Sequence, residues 1–367
     1  MEAFGIITLN ENSEMAYFTE IAIRASELGM TCCRFIPSNI HPVSQQISGS
    51  IYDPHTKKWA ATEFPIPTIL YDRCFYGDDF QSKQCSSIVS WLKGREDIVF
   101  LGYGLPNKLE LNHVLKQSVL SPYLPLTQSI TNLSVVLEEL NQFKRIVIKP
   151  INGSQGNGIY YIEYETLPIK VKTFNKNRHI QKEFHDEKKF HTWISTLISK
   201  KNYLVQPYLE LSNENNQPFD IRILLQKCED GSWMERGRGI RVGHPDGIIS
   251  NLHAGGQTES YGLWKQKLSP NQKEFIDLEI NELLREIPKV LEEKFLPLFE
   301  LGIDVGMAKD GSIWVLDINS KPGRKVILET TPENRDDLFF APILYGRTLD
   351  SSGQNGRKRY DAKTLSY

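Results

Sequence analysis

Leu301–Arg324, LGIDVGMAKDGSIWVLDINSKPGR, is the stretch on which the reading of this chain turns. Asp310-Gly311 is a dipeptide favoured in two-residue type I′ turns, so the segment predicts a β-hairpin centred there. That turn sets Asp304 opposite Asp317 and puts Asn319 two residues further along the same face. Ile303, Val305, Met307, Trp314, Leu316 and Ile318 then form an apolar face on the other side, which fixes the register. Carboxylates directly opposed across a ladder repel each other, and a positive charge is expected between them. Two carboxylates and an amide suit a hard cation such as Mg²⁺, which completes its shell with waters and substrate phosphates. A solvated hairpin face is the competing reading.

Composition narrows the class. The chain has 367 residues, 40% hydrophobic and 24% charged, enough for more than one compact domain. A formal net charge of −2 offers no electrostatic case for nucleic acid as a partner. Cys32, Cys33, Cys74, Cys85 and Cys228 lack C-x-x-C spacing, which argues against zinc and a disulfide framework and for a reducing compartment. Met1–Phe4 opens without a basic n-region, and no apolar run is long enough to span a membrane, so the expectation is a cytoplasmic protein without signal peptide or membrane span.

Strand and helix signals alternate from residue 1 to about 105. Phe4–Leu9, Thr31–Ile36, Phe64–Arg73 and Ile98–Gly102 read as strands, and Glu14–Leu28 and Ser82–Lys93 as helices, the pattern of an α/β domain with a parallel sheet. A Gly/Pro/Asn cluster at Gly102–Asn107 marks a boundary. Beyond it, helices are expected at Leu109–Gln117, Leu133–Phe143, Asp186–Ser199 and Pro270–Phe299, the last bent at Pro288. Strands are expected at Arg145–Lys149, Ile159–Tyr164, Ile169–Phe174, Tyr203–Leu209, Asp220–Gln226 and Trp233–Val242. The polar residues 346–367 read as a loosely held tail, solvated or docking an acidic partner through its basic residues.

Four further segments carry chemistry. In VIKPINGSQGNGIYYI a strand ends at Lys149, and a glycine loop (Gly153, Ser154, Gln155, Gly156, Asn157, Gly158) leads into another strand. Glycines let backbone N–H groups approach phosphate oxygens, and the lysine supplies a point charge. A Walker A loop or a Rossmann turn would open a helix instead, and a protein kinase would need an H-R-D loop that is missing. A flexible hairpin turn is the plainer alternative. FDIRILL puts Asp220 and Arg222 on one strand face, where Arg241 from GIRVG is placed to converge; guanidiniums bind a terminal phosphate bidentately, although a structural ion pair is the common use of such residues. ISNLHAGG holds Asn251 and His253, with His253 read as a loop residue for want of a partner. YLVQPYL breaks at Gln206-Pro207 and exposes backbone groups that suit the edge of a flat heterocycle.

In this order, the lysine before a glycine-loop hairpin, V-Q-P-Y, D-I-R and G-x-D…D-x-N-x-K-P-G resemble the ATP-grasp superfamily. Within it, ILYDR, FDIRILLQK, NLHAGG and the opening hairpin resemble the YheC/YheD branch of endospore coat-associated proteins over nearly the whole chain. The resemblance implies an α/β (α+β) fold with an N-terminal α/β pre-ATP-grasp domain over residues 1–105. A two-lobed ATP-grasp domain then spans 106–345, nucleotide held between two antiparallel sheets, with 106–145 and 210–345 as the central lobe and 146–209 as the lid.

By the same resemblance Lys108 and Lys149 are nucleotide-contacting lysines and Gly153–Gly158 covers the phosphates. Gln206 and the backbone at Leu209 hold adenine, and Asp220 meets the ribose. Arg222 and Arg241 take the γ-phosphate or the intermediate, Asp304, Asp317 and Asn319 the metal, and Asn251 and Arg324 the second substrate. ATP and Mg²⁺ are the implied cofactors, one ion or two, with Mn²⁺ a substitute. The implied reaction is ATP-dependent joining of a small-molecule or peptide carboxylate to an amine or thiol through an acyl phosphate, with spore-coat proteins as partners. A nucleotide-binding or structural coat component without turnover is the alternative. Most ATP-grasp enzymes carry Glu where this chain has Asp317, and the shorter arm puts a two-metal arrangement in question.

Overall fold

The computed structural model describes residues 2–152, 158–175, 178–245, 247–248, 250, 252 and 255–351. Three sheets organise it. The first contains β1 (Ala3–Ile7), β2 (Thr31–Phe35), β3 (Gln46–Asp53), β4 (Lys58–Pro65), β5 (Ile69–Asp72) and β6 (Val99–Phe100), in the order β4-β3-β2-β1-β5-β6. Strands β2, β1, β5 and β6 are parallel, as the alternating signals predict. The β3–β4 hairpin, unforeseen in the sequence, extends the edge antiparallel and absorbs the start of the Phe64–Arg73 run. Helix α1 (Met15–Glu27) buries Phe18, Ile21 and Ala22 on one face of the sheet, and α2 (Phe80–Lys93) buries Val89 and Leu92 on the other.

Helix α3 (Lys108–Lys116) leads into the second sheet, formed by β7 (Gln128–Ser129), β8 (Arg145–Pro150), β9 (Tyr160–Glu163), β10 (Ile169–Asn175), β11 (Arg178–Phe184) and β12 (Tyr203–Pro207). Helices α4 (Leu133–Phe143) and α5 (Glu187–Ile198) cover one face through Val136, Leu140, Phe190 and Ile194. Residues from 128 onward therefore pack with this second sheet, although the expected lobe boundary lay at 145. The apolar stripe of α4 fits equally well under either sheet, so periodicity alone does not allocate it.

The third sheet runs β15-β14-β13-β16-β17, from β13 (Phe219–Lys227), β14 (Trp233–Val242), β15 (Gln257–Ser260), β16 (Glu300–Met307) and β17 (Ile313–Asn319), with all neighbours antiparallel. After the short α6 (Tyr261–Gln266), the long α7 (Pro270–Lys294) begins with a Ser269/Gln272 capping box and Pro270 in its first turn. It buries Ile276, Ile280, Leu283, Ile287 and Leu291 against Ile221, Ile223, Ile303 and Val305. On the opposite face, α8 (Lys325–Thr330) and α9 (Arg335–Ser351) fill the space toward the first sheet, where Leu338 and Phe339 join Phe18, Ile21, Leu224 and Phe299 in one cluster. The expected tail thus shortens, because helix continues to Ser351; residues 352–367 lie outside the described part. No described helix is long and apolar enough to cross a membrane.

The ILYDR run is the dock between the first sheet and the third. Tyr71 donates from its hydroxyl to Glu300 at 2.6 Å, and Arg73 donates to Glu300 at 2.7 Å, to the Pro322 carbonyl at 3.2 Å and to Glu14 through two nitrogens. Asp72 lies 2.8 Å from Lys321 and 3.2 Å from Lys93 and accepts the Cys74 N–H. Burial opposes its charge, yet Lys321, Lys93 and that amide hold the Asp72 carboxyl well below the ordinary carboxylate range.

Glu300→Gln removes the carboxylate that Arg73 and Arg324 share and leaves both to Glu14, so denaturant titration is expected to show a loss of about 3 kcal/mol. For Asp72 the depressed value means its contribution is complete above the unfolded carboxylate value of about 4 and fades as pH falls through the lower folded value. The urea midpoint of Asp72→Asn should therefore lie furthest below the parent's at neutral pH, with the gap closing below about pH 4.

Candidate nucleotide and metal site

The hairpin keeps its key rung but reaches it differently from the expectation. Its tip is a three-residue loop, Lys309–Gly311: Ala308 N–H donates to Ser312 O and Gly311 N–H to Ala308 O, both at 2.9 Å. Gly311 takes φ +88°, the left-handed residue that such a loop needs. Pairing from the tip matches Met307 to Ile313 and Val305 to Val315, and an irregularity between Asp304 and Val305 restores Asp304 opposite Asp317. Leu316 is the extra residue of this bulge. Ile313 and Val315 consequently enter the core, while Trp314 and Leu316, expected there, stay half-buried on the other side.

The positive charge expected between the carboxylates comes from the protein itself. Arg222 is the cross-strand partner of Asp304, and Asp220 that of Arg241. Arg241 donates to both oxygens of Asp220, at 2.7 and 2.5 Å, and its Nη2 lies 2.8 Å from Asp304 Oδ2. Ser250 Oγ donates to Asp220 Oδ2 at 2.6 Å. Arg222 Nη1 lies 2.8 Å from Asp304 Oδ1, yet neither atom has an aligned hydrogen bond. Burial, with Asp220 and Asp317 nearby, pushes the Asp304 carboxyl up against the pull of its two arginines.

Gly302 makes this packing possible. A Cβ there would stand 2.9 Å from Arg222 Nη1 and 2.5 Å from Pro322 Cβ, so a bare backbone is required where the guanidinium crosses β16.

Two lysines arrive from outside the third sheet. Asn107 caps α3 by accepting the N–H groups of Leu109 and Glu110 at 3.1 Å, which sets Lys108 at the first helical position. Lys108 Nζ donates to Asp317 Oδ1, and the Asn319 amide donates to Asp317 Oδ2 at 3.3 Å. Burial works against Asp317, but Lys108, Lys149 and Asn319 keep its carboxyl below the usual value. On β8, Ile146, Ile148 and Pro150 turn inward and Lys149 lies on the opposite face. Burial, then the Lys108 charge, brings Lys149 down to about 8, against the opposing pull of Asp317 and Asp304. Among the described residues Lys149 has no ion-pair partner.

The structure therefore brings Lys108, Lys149, Asp220, Arg222, Arg241, Asp304, Asp317 and Asn319 to one cleft between the second and third sheets. Gln206 is buried at its side and donates to Thr127 Oγ1 at 2.8 Å; the Leu209 carbonyl accepts the Leu211 N–H at 2.9 Å. Gly158 has φ +76°, while Gly153, Ser154, Gln155, Gly156 and Asn157, as well as Asn251 and His253, lie outside the described residues. Asp220 spends its oxygens on Arg241 and Ser250, which makes it a support for Arg241 rather than a group open to a sugar. Arg324 is likewise closed: it donates to Glu300 at 2.6 Å, to Tyr71 Oη at 2.5 Å and to Pro322 O at 3.0 Å, with its guanidinium 3.5 Å from the centre of the Tyr17 ring. Its surroundings are the inter-sheet dock, not an open substrate space. Glu300 itself was missed; it sits on the Asp304 face of an otherwise apolar strand, which was the available signal.

Among the described residues no three His, Cys, Asp or Glu side chains gather into a metal cluster. Asp304, Asp317 and the Asn319 amide still fit Mg²⁺ in the manner of one or two carboxylates completed by phosphate oxygens. The charge balance adds a condition. Lys108, Lys149, Arg222 and Arg241 outnumber Asp220, Asp304 and Asp317 by one, so the cleft favours an anion, or a cation brought by one.

Solved structures share this architecture. D-cycloserine synthetase DcsG superposes with a TM-score of 0.55 at 11% identity, covering 96% of this chain and 100% of that one. A RiPP-associated ATP-grasp ligase of Chryseobacterium gregarium, in complex with ADP and a leader and core peptide, gives 0.50 at 13% identity over 95% and 97%. The fold is that of the ATP-grasp ligases. Residues 97–349 match the model of the YheC/D-like ATP-grasp family, to which the chain belongs. A curated relative, the endospore coat-associated protein YheC of Bacillus subtilis (strain 168), is 35% identical over 349 residues, 94% of each chain.

Gly302→Ala forces Arg222 off Asp304 or displaces Pro322. Overpacking of this kind should cost about 1–3 kcal/mol in a denaturant titration, a result that an unchanged midpoint would contradict.

Proposed function

We propose that this protein is an ATP-dependent ligase that activates a carboxylate as an acyl phosphate and passes it to an amine. The observation that carries the reading is the convergence of Lys149, Arg222 and Arg241 on the Asp304/Asp317 rung, within a cleft between two antiparallel sheets. Phosphoryl transfer asks little covalent help of a protein and depends on positioning and charge neutralisation. Lys149, desolvated and unpaired among the described residues, is the group best placed to gain from a polyphosphate. Arg222, held loosely on Asp304, and Arg241, fixed by Asp220, are set to meet the transferring phosphoryl group and the acyl phosphate.

In the proposed reaction the substrate carboxylate oxygen bonds to the γ-phosphorus as the bond to ADP breaks. An amine nitrogen then attacks the acyl carbon, phosphate departs, and the amine gives up a proton. Asp304, Asp317 and Asn319 would hold Mg²⁺, which supplies charge neutralisation at the phosphate oxygens when bound. Closure of the second sheet over the cleft would keep water from the acyl phosphate. Gln206 is assigned to the adenine side because it is buried beside the break in YLVQPYL. A peptide carboxylate is a candidate substrate alongside small molecules, since one structural neighbour holds a leader and core peptide. Association with a spore coat is proposed from the relative's description. The alternative, a coat component that retains the scaffold without turnover, draws on the mutual neutralisation of Asp304 with its arginines and Asp317 with Lys108.

The test is calorimetry with ATP and Mg²⁺ followed by phosphate release across a panel of carboxylates and amines. Lys149→Ala is expected to lower turnover by about a hundred-fold or more, the scale for removing one preorganised charge-stabilising donor. Turnover by Lys149→Ala at the parent rate would overturn the mechanism, and failure of the parent to bind nucleotide would favour the scaffold reading.

A further inference from the structure

Lys108 occupies the position from which a metal ion would reach Asp317. Its ammonium donates to Oδ1, and Asn319 donates to Oδ2, so both oxygens of that carboxylate are engaged. Across the rung, both oxygens of Asp304 lie 2.8 Å from guanidinium nitrogens. Lys149 faces the same carboxylates and has no ion pair of its own among the described residues. A bare divalent cation entering this cleft must displace Lys108 from Asp317 while Lys149, Arg222 and Arg241 remain close, and each of those charges repels it.

A polyphosphate changes the balance. It offers Lys108 and Lys149 several anionic oxygens, lets Lys108 leave Asp317, and brings further oxygen ligands for the ion. The lysine has room for this exchange: its side chain is 26% exposed, on the first turn of α3, where a cation is disfavoured by the helix dipole. Asp317 contributes as well, since its short arm offers the ion no second reach around the lysine.

We infer that Lys108 acts as a charge placeholder that keeps the metal site closed until nucleotide arrives, so that the divalent ion loads only with the polyphosphate. This rests on the nucleotide-and-metal reading above and adds an order to it. Lys108 is here a positioning residue, and its effect is read in metal binding rather than turnover.

The experiment titrates Mn²⁺ into the full chain and follows the free-ion signal by electron paramagnetic resonance. Without nucleotide, the parent is expected to leave the signal essentially unquenched, while Lys108→Met binds one Mn²⁺ at least about ten-fold more tightly, as removal of an adjacent charge allows. Adding Asp317→Asn to Lys108→Met should abolish that gain. Lys108→Arg, which keeps the charge and the helix cap, should behave as the parent, and circular dichroism of all forms reports folding. With ATP present, which itself binds the ion, Mn²⁺ and nucleotide should be retained together with the parent in ultrafiltration.

Parent and Lys108→Met binding Mn²⁺ equally well without nucleotide would overturn the inference. So would Lys108→Met showing no gain while the parent binds Mn²⁺ with ATP, a result that leaves the proposed function standing. Absence of Mn²⁺ binding by every form, with or without ATP, would reject both.

Discussion

Glu300 is gripped between Arg73 and Arg324, and on that grip depends the way the first sheet meets the third. The three groups are almost wholly enclosed, and Tyr71, Glu14, Tyr17 and the Pro322 carbonyl complete the shell. A buried cluster of this sort adds little net stability beyond what an apolar contact would, because desolvation offsets the attraction. What it provides is directionality. An apolar interface tolerates sliding, whereas two guanidiniums around one carboxylate fix both distance and angle. Glu300 and Asp304 lie on one face of β16, separated by Gly302. The dock and the rung that faces the nucleotide cleft are thus parts of one rigid strand.

Much of this fold could be read from the residues. Periodicity placed α4 and β14 at their observed bounds, and the parallel core of the first sheet followed from alternating strand and helix signals. The opposed aspartates were read correctly although the turn was not, because the third loop residue and the Leu316 bulge cancel at that rung. The β3–β4 hairpin, α8 and α9 were not. Strand β4 is mostly exposed and carries no alternation, and the short α8 owes its place to packing between sheets rather than to its own pattern. Tertiary context decides such segments.

The site divides along the same line. Residue types and spacing brought Lys149, Arg222, Arg241, Asp304, Asp317 and Asn319 onto one list, the family resemblance added Lys108, and the structure collects them in one cleft. Who neutralises whom was out of reach. Asp220 serves Arg241, and Arg324 serves Glu300, because each buried ion takes the nearest counter-ion that geometry supplies. Those partners sit on strands distant in sequence, and the pairing depends on which strands become neighbours in the sheet, not on any local signal.

The two irregularities of the β16–β17 hairpin have a joint meaning. The third residue in the tip loop throws the strands out of phase by one, and Leu316 throws them back just before Asp317. Neither is a defect, since each cancels the other where the carboxylates stand. Turning on Asp310-Gly311 alone, with Leu316 kept as the extra residue, would set Asp317 opposite the core-facing Val305 and Ile318 opposite Asp304, unless the bulge were removed in the same step. The outer end of the hairpin and its chemical end are therefore bound by parity: the length of a surface turn, far from any ligand, determines which face of β17 the carboxylate occupies.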